Sequence, residues 1–183
     1  MPPLLRELLR APNLLSAARI PIALAFPFVA KRPRVALALL ALGGLSDVLD
    51  GWVARKLGQT SIVGAFVDGV ADKALAVSVA GSLVASGRLS PGAALLLASR
   101  EIGELPLVVH VLREPAGTRD RIPRRANALG KLASALDLAT VVAILAGSRR
   151  EWALVAANSA VGVLAAASYW LRELREERAV SVT

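Results

Sequence analysis

The feature that most limits the fold of this chain is a series of six apolar tracts, separated by short gaps rich in arginine and lysine. Each tract is long enough to cross a hydrocarbon core of about 30 Å as a helix that rises about 1.5 Å per residue. The sequence therefore predicts an all-α, polytopic membrane protein with six transmembrane helices in a single domain, residues 1–183. The predicted spans are 12–31, 35–57, 61–87, 90–112, 126–147 and 152–171.

A short stretch precedes the first span. Residues 3–10 are predicted to form an amphipathic helix that lies in the membrane interface. A signal peptide is the alternative interpretation of this region. However, Arg19 interrupts the apolar run, and no clear small-residue cleavage site follows it.

The basic residues lie mostly in the gaps between the apolar tracts. A net charge of +8 is compatible with nucleic-acid binding, but in the gaps these charges face headgroups and set topology, so no nucleic-acid partner is predicted. With six spans, both termini share one side, which holds twelve of the Lys and Arg residues outside the spans against six on the other. This bias predicts a cell (inner) membrane protein whose termini and active site are cytoplasmic. The absence of cysteine excludes disulfides and thiol catalysis.

Four aspartates lie within the second and third predicted spans, where charged side chains are costly and usually mark function. Asp47 and Asp50 are three residues apart, on one face of their helix. Gly64, Asp68 and Asp72 follow at intervals of four, also on one face. A tight hairpin would bring the two faces together. Converging carboxylates repel one another unless they are protonated or bind a cation, and oxygen ligands suit Mg²⁺ or Mn²⁺. The alternative is that each aspartate is a structural residue hydrogen-bonded to a neighbouring helix.

Small residues beside these aspartates leave room for a ligand or for a closely packed helix. Gly51 follows Asp50 directly, and Ala54 lies one turn beyond the aspartate pair. Arg55 is four residues past Gly51, at the predicted cytoplasmic edge, where a guanidinium is well placed for a diphosphate. The alternative for Arg55 is an interfacial arginine that reaches the headgroups.

These residues form one pattern, Asp47-x2-Asp50-Gly51-x2-Ala54-Arg55-x8-Gly64-x3-Asp68-x3-Asp72. It resembles, at every fixed position, the signature of the CDP-alcohol phosphotransferase family, whose members are membrane enzymes of phospholipid biosynthesis. The resemblance implies that the four aspartates bind two divalent metal ions and that a CDP-linked donor lies with its diphosphate on them. The donor-binding residues are then Gly51, Ala54, Arg55 and Gly64, the last of which precedes Asp68 by one turn, where a side chain could block the substrate. The resemblance also implies that Asp72 is the general base, that CMP is released and that the protein is a homodimer.

Three shorter stretches resemble the phosphatidylglycerolphosphate synthases of that family. They are Pro12-Asn13-Leu14-Leu15-Ser16 with Arg19 following, Ala98-Ser99-Arg100-Glu101-Ile102, and Gly130-Lys131-Leu132-Ala133-Ser134. This resemblance implies CDP-diacylglycerol as the donor and glycerol 3-phosphate as the acceptor. The sequence departs at Ala133, where the resemblance predicts lysine, and at Asp137, where it predicts glutamine. Inositol phosphate or a second lipid is therefore the alternative acceptor.

Three cations are candidates for holding an acceptor phosphate. Arg100 and Lys131 lie inside predicted spans, and Arg113 lies at a span end. The alternative is internal pairing, of Arg100 with Glu104 or of Lys131 with Asp137 or another helix.

Two other classes of protein fit parts of the pattern. Intramembrane acids also line the ion path of divalent-cation transporters, although these acids cluster near one surface and do not cross the bilayer. A non-catalytic membrane scaffold is the third class. Metal-dependent release of CMP from CDP-diacylglycerol distinguishes the enzyme from both.

Overall fold

The computed structural model describes residues 7–59, 61–103, 106, 128–148 and 150–181. Within these ranges the regular structure is helical and contains no strand, which confirms the predicted all-α class. The main helices are α1 (Ala11–Ala17), α2 (Arg19–Val29), α3 (Pro33–Lys56), α4 (Ile62–Ala85), α5 (Pro91–Leu97), α6 (Ala128–Leu145) and α7 (Glu151–Ser181).

Three helical stretches among the described residues are long and apolar enough to cross a membrane. They are Ala11–Val29, Pro33–Lys56 and Glu151–Leu171, which overlap the first, second and sixth predicted spans. The predicted total of six spans stays a prediction. The fourth predicted span lies partly outside the described residues, as does the predicted interfacial helix, of which residues 7 and 8 are helical.

The helices form two compact units, residues 1–89 and residues 90–183. In the first unit, α1 and α2 each pack against both α3 and α4. In the second unit, α5 and α6 both pack against α7. The four aspartates of the signature all belong to the first unit, and the three predicted acceptor cations belong to the second.

The first span is interrupted between α1 and α2, at Ala18. Pro21 lies in the first turn of α2, where a proline is tolerated. Because proline has no amide hydrogen, Pro21 cannot donate to the carbonyl of Ala17 one turn earlier, which explains why α1 ends at that residue. The break lies between Ser16 and Arg19, two residues whose side chains reach the aspartates.

The connection between α3 and α4 is short and is shaped by Gly58 and Ser61. Gly58 has a φ of +61°, a left-handed conformation that glycine adopts without steric cost. The Ser61 hydroxyl accepts a hydrogen bond from the Gly64 amide at 3.0 Å and so caps the start of α4. Because the connection is short, only residues 57–61 separate the end of α3 from the start of α4.

Candidate active site

The structure brings together carboxylates from the two signature helices. Carboxylate oxygens of Asp47 and Asp50, on α3, and of Asp68, on α4, all lie within 4.8 Å of one another. A set of three hard, anionic oxygen donors at this separation fits a divalent cation such as Mg²⁺ or Mn²⁺. The predicted convergence of the two helical faces is therefore seen in the geometry.

The group that gathers these carboxylates is Arg19, at the start of α2. Its Nη2 donates to Asp50 Oδ2 at 2.5 Å and also to Asp68 Oδ1. Its Nη1 donates to Asp72 Oδ1 and, at 3.3 Å, to Asp47 Oδ1. One guanidinium thus contacts all four aspartates of the signature, and Asp72 joins the other three through it.

The site is closed on one side and open on the other. The side chains of Arg19 and Asp50 are 1% and 7% exposed. Those of Asp47, Asp68 and Asp72 are 54%, 40% and 50% exposed. Arg19 and Asp50 therefore lie on the buried side of the site. A ligand can reach the other three carboxylates from the exposed side.

Ser16 fixes the most buried of the aspartates. Its hydroxyl lies 2.6 Å from Asp50 Oδ2, to which it donates, and 3.1 Å from the carbonyl of Pro12. Asp50 Oδ2 thereby accepts from both Ser16 and Arg19, as a buried carboxylate requires. The hydroxyl of Ser46, on α3, is also 2.5 Å from the carbonyl of Leu15, which ties α1 to α3.

Gly64 lies where α1 approaches α4. A Cβ atom added to Gly64 would lie 2.6 Å from Asn13 Oδ1. Asn13 is itself held, since its Nδ2 donates to the carbonyl of Glu7 at 2.7 Å. The glycine therefore allows α1 to pack closely on α4, and its predicted role of leaving space for the donor stays a prediction.

The other predicted donor-binding residues lie along the last turns of α3. Gly51 faces Arg55, since a Cβ on Gly51 would lie 3.2 Å from Arg55 Nη1. Arg55 is exposed and Ala54 is half-buried. The neighbouring Lys56 ammonium lies 4.5 Å from the centre of the Trp52 ring, an exposed cation–π contact. The arginine and the small residues of the signature thus share one accessible side of the helix end.

Three further residues belong to the site and are not predicted as part of it from the sequence: Asn13, Ser16 and Arg19. They recur every three residues through an apolar stretch, so all three lie near one side of a helix. That spacing of polar residues in a predicted span was the available signal. It was used only as part of a resemblance and as an argument against a signal peptide.

The predicted acceptor residues of the second unit differ in exposure and in their contacts. Arg100 Nη1 donates to Ser134 Oγ at 2.9 Å and contacts Asp137 Oδ2 at 3.5 Å. Asn158 Nδ2 donates to the other oxygen of Asp137 at 2.6 Å, and Asn158 Oδ1 is buried without a hydrogen-bond partner among the described residues. Lys131 is exposed. Arg100 is therefore paired internally with Asp137, and with Glu101 at 3.9 Å, whereas the pairing predicted for it, with Glu104, lies outside the described residues.

Two of the residues considered for the acceptor region, Arg113 and Glu104, lie outside the described residues. Glycines hold the described part of this region close to α7. A Cβ on Gly162 would lie 3.1 Å from Arg100 Cβ, and one on Gly103 would lie 3.1 Å from Ala166 Cβ. The Trp170 indole also donates to the Gly103 carbonyl at 3.0 Å.

Comparison with known proteins agrees with the geometry of the first unit. Residues 9–170 match the CDP-alcohol phosphatidyltransferase family. A probable phosphatidylglycerophosphate synthase of Mycobacterium tuberculosis is 33% identical over 147 residues, which are 78% of this chain and 67% of that protein. A cardiolipin synthase (CMP-forming) of Streptomyces coelicolor is 34% identical over 136 residues, which are 70% and 61%.

A third relative is the chloroplastic CDP-diacylglycerol–glycerol-3-phosphate 3-phosphatidyltransferase 1 of Oryza sativa subsp. japonica, 38% identical over 97 residues, 51% of this chain. The chain spans 29% of the length of the rice protein and 61% of that of the Streptomyces protein. Since the family match runs from before α1 into α7, and the relatives agree with it, the chain belongs to the CDP-alcohol phosphatidyltransferase family.

Proposed function

We propose that this protein is an integral membrane enzyme that transfers a phosphatidyl group from CDP-diacylglycerol to an alcohol and releases CMP. The observation that carries the proposal is the convergence of Asp47, Asp50 and Asp68 within 4.8 Å, with Asp72 on the same arginine. These residues are the four aspartates of the family's signature. The names of the relatives, which are phosphatidyltransferases and CMP-forming synthases, support the same chemistry.

The reaction assigns a role to each part of the site. The acceptor oxygen attacks the donor phosphorus that carries diacylglycerol, the bond from that phosphorus to the CMP oxygen breaks, and CMP leaves with the bonding electrons. Asp72 takes the hydroxyl proton, a role that suits its half-exposed carboxylate. The four aspartates would hold two Mg²⁺ or Mn²⁺ ions, which neutralise the donor diphosphate when bound. Gly51, Ala54, Arg55 and Gly64 are proposed to line the CDP part of the donor.

Glycerol 3-phosphate is the proposed acceptor, with phosphatidylglycerolphosphate as the product. The names of the Mycobacterium and rice relatives, a probable phosphatidylglycerophosphate synthase and a CDP-diacylglycerol–glycerol-3-phosphate 3-phosphatidyltransferase, support it. Of the two described candidate cations, Lys131 is exposed and Arg100 is half-buried, so Lys131 is proposed to meet the phosphate, and Arg100 and Arg113 are proposed to assist it. In this assignment the acceptor cations act on the phosphate and not on the reacting hydroxyl.

A second candidate acceptor is the hydroxyl of another phospholipid. The contact of Asp137 with Arg100 favours it, because a carboxylate beside the guanidinium weakens its attraction for a doubly charged phosphate monoester. A phosphodiester lipid carries less charge and depends less on that cation. The Streptomyces relative, a cardiolipin synthase (CMP-forming), supports this alternative.

We also propose six membrane spans, a cytoplasmic active site and a homodimer. The charge bias of the loops supports the orientation, and the family match across both units supports one catalytic domain. Reporters fused at either terminus should report the cytoplasm, and one inserted near residue 149 should report the opposite side. The reverse pattern would contradict a cytoplasmic site.

The test of function is CMP release by the purified protein in detergent with CDP-diacylglycerol. Glycerol 3-phosphate, inositol phosphate and phosphatidylglycerol are supplied one at a time, with Mg²⁺ or Mn²⁺ and then with excess chelator. We expect metal-dependent release with glycerol 3-phosphate, and neutralising Lys131 should raise the acceptor KM more than the donor KM. Preference for phosphatidylglycerol would select the second candidate. Full activity in chelator would contradict the metal site, and the absence of release with every acceptor would contradict the enzyme.

A further inference from the structure

The most unusual group in the first unit is the guanidinium of Arg19. A charged side chain within a predicted membrane span is costly, and this one is only 1% exposed. Each of its two terminal nitrogens, Nη1 and Nη2, donates to two carboxylates. Arg19 is thus the only cation in direct contact with the signature aspartates among the described residues.

The arrangement balances charge only in part. With all four aspartates ionised, one guanidinium offsets one of four negative charges, so the carboxylates repel one another at contact distance. Arg19 lowers that repulsion enough for the carboxylates to lie together, whereas divalent ions would lower it further. A cation bound among these carboxylates would also meet the positive charge of Arg19, so the two compete for the same oxygens.

The hydrogen bonding of Arg19 is also incomplete. Its Nε is buried and has no hydrogen-bond partner within the described part of the chain. A buried donor without a partner is unfavourable, and the contact with Asp47 is long, at 3.3 Å. A shift of the guanidinium therefore breaks fewer good hydrogen bonds than a shift of a buried arginine whose donors are all paired.

We propose that Arg19 is a positioning residue that acts as an exchangeable internal cation. In the metal-free protein it gathers the four aspartates, and it releases some of them when divalent ions bind. This proposal rests on the proposed function in one respect only, that the site binds divalent ions. It adds that the affinity for those ions is set by competition with a residue outside the aspartate signature.

The test compares Arg19→Met and Arg19→Lys with the unmodified protein, as full-length chains in detergent. Arg34→Met is the control, because Arg34 is an exposed arginine near the start of α3, away from the aspartates. The readouts are the affinity for Mn²⁺, measured by electron paramagnetic resonance of the free ion, and the Tm in chelator and in saturating Mn²⁺. Neither readout requires turnover.

We expect Arg19→Met to have a lower Tm in chelator, and to gain more from Mn²⁺ than the unmodified protein does. Its Kd for Mn²⁺ should fall by roughly tenfold or more, because a unit charge a few ångströms away has been removed. Arg19→Lys retains one charge and should lie closer to the unmodified protein. Arg34→Met should match the unmodified protein in both readouts.

The other possible results of this experiment either support the proposal or overturn it. Purification of Arg19→Met only in the presence of Mn²⁺ would support it. An unchanged or weaker Kd, with the unmodified protein responding normally to Mn²⁺, would overturn it and leave the proposed function intact. Failure of both Arg19 variants to fold even with Mn²⁺ would show a fixed structural arginine and overturn it. If the unmodified protein itself does not respond to Mn²⁺, the metal site of the proposed function fails.

Discussion

The two units of this protein place different numbers of carboxylates around one guanidinium. In the first, one arginine faces four carboxylates, three of which remain open to a ligand. In the second, Arg100 lies 3.5 Å from Asp137 and 3.9 Å from Glu101, and the other oxygen of Asp137 accepts from the neutral Asn158. Among the described residues, the larger surplus of negative charge on an accessible side therefore favours the first unit as the place of the proposed metal chemistry.

The largest effect should come from neutralising an aspartate of the first unit. Asp50→Asn and Asp68→Asn should each reduce CMP release to background, because a charged ligand is lost from a site built on charge. Asp137→Asn is the matched change in the second unit and should leave CMP release measurable. The assay is CMP release by equal amounts of folded protein, at a temperature below the Tm of every variant. Equal loss in all three variants would remove the functional distinction between the units.

Asp72 should differ from the aspartates that are proposed to serve as metal ligands only, because it is also the proposed general base. Asp72→Asn keeps the size of the side chain but cannot take the proton, so kcat should fall by roughly 10² to 10⁴. Donor KM and Mn²⁺ affinity should largely survive, unlike in Asp68→Asn. Measuring kcat, donor KM and Mn²⁺ affinity for both variants separates a base from a ligand. Turnover near the normal rate in Asp72→Asn would show that another group accepts the proton.

The same comparison predicts opposite effects on stability in chelator. Neutralising Asp72 removes one of several mutually repelling charges, so the Tm should stay equal or rise. Neutralising Asp137 weakens the contact with Arg100, whose side chain is mostly buried. We expect this to cost about 1–3 kcal/mol, the usual range when a buried partner is lost. Thermal unfolding of both variants in chelator is the measurement, and a lower Tm for Asp72→Asn alone would contradict the charge argument.

Much of the first unit followed from local spacing. The apolar tracts predicted the helical class, and the intervals of three and four between aspartates predicted the two carboxylate faces. The sequence did not indicate that α1 and α2 would pack against both signature helices. The spacing predicts the convergence from a hairpin of α3 and α4 alone, and it gives no role at the aspartates to Arg19, the cation that contacts all four.

The misses share a physical cause, which is that sequence periodicity reports neighbours within one helix only. The contact of Arg100 with Asp137 of α6 is not predicted by any interval, and Glu104, the partner that the interval of four predicts, lies outside the described residues. For Gly64, the interval of one turn before Asp68 predicts substrate access and indicates nothing about a neighbouring helix. The atom that Gly64 accommodates, Asn13 Oδ1, lies on α1. Contacts between helices depend on their packing, which no interval along one helix encodes.

Gly64 offers the smallest and most discriminating effect, because its two roles predict different rescue. In Gly64→Ala the new methyl group meets Asn13 Oδ1 at 2.6 Å, so Asn13 or α1 must shift. We expect a loss of about 1–3 kcal/mol, the usual range for an overpacked contact, and a lower Tm.

Shortening Asn13 then separates the two roles of Gly64. If the clash is the whole effect, Asn13→Ala combined with Gly64→Ala should lose less stability than the sum of the single changes, and donor KM should return toward that of Asn13→Ala. If Gly64 instead makes space for the CDP donor, the Tm should recover in the double variant while donor KM stays raised. Thermal unfolding and donor KM for all four proteins complete the cycle. Strict additivity in both readouts would contradict a direct contact between Asn13 of α1 and Gly64. It would then also contradict the close packing of α1 against α4.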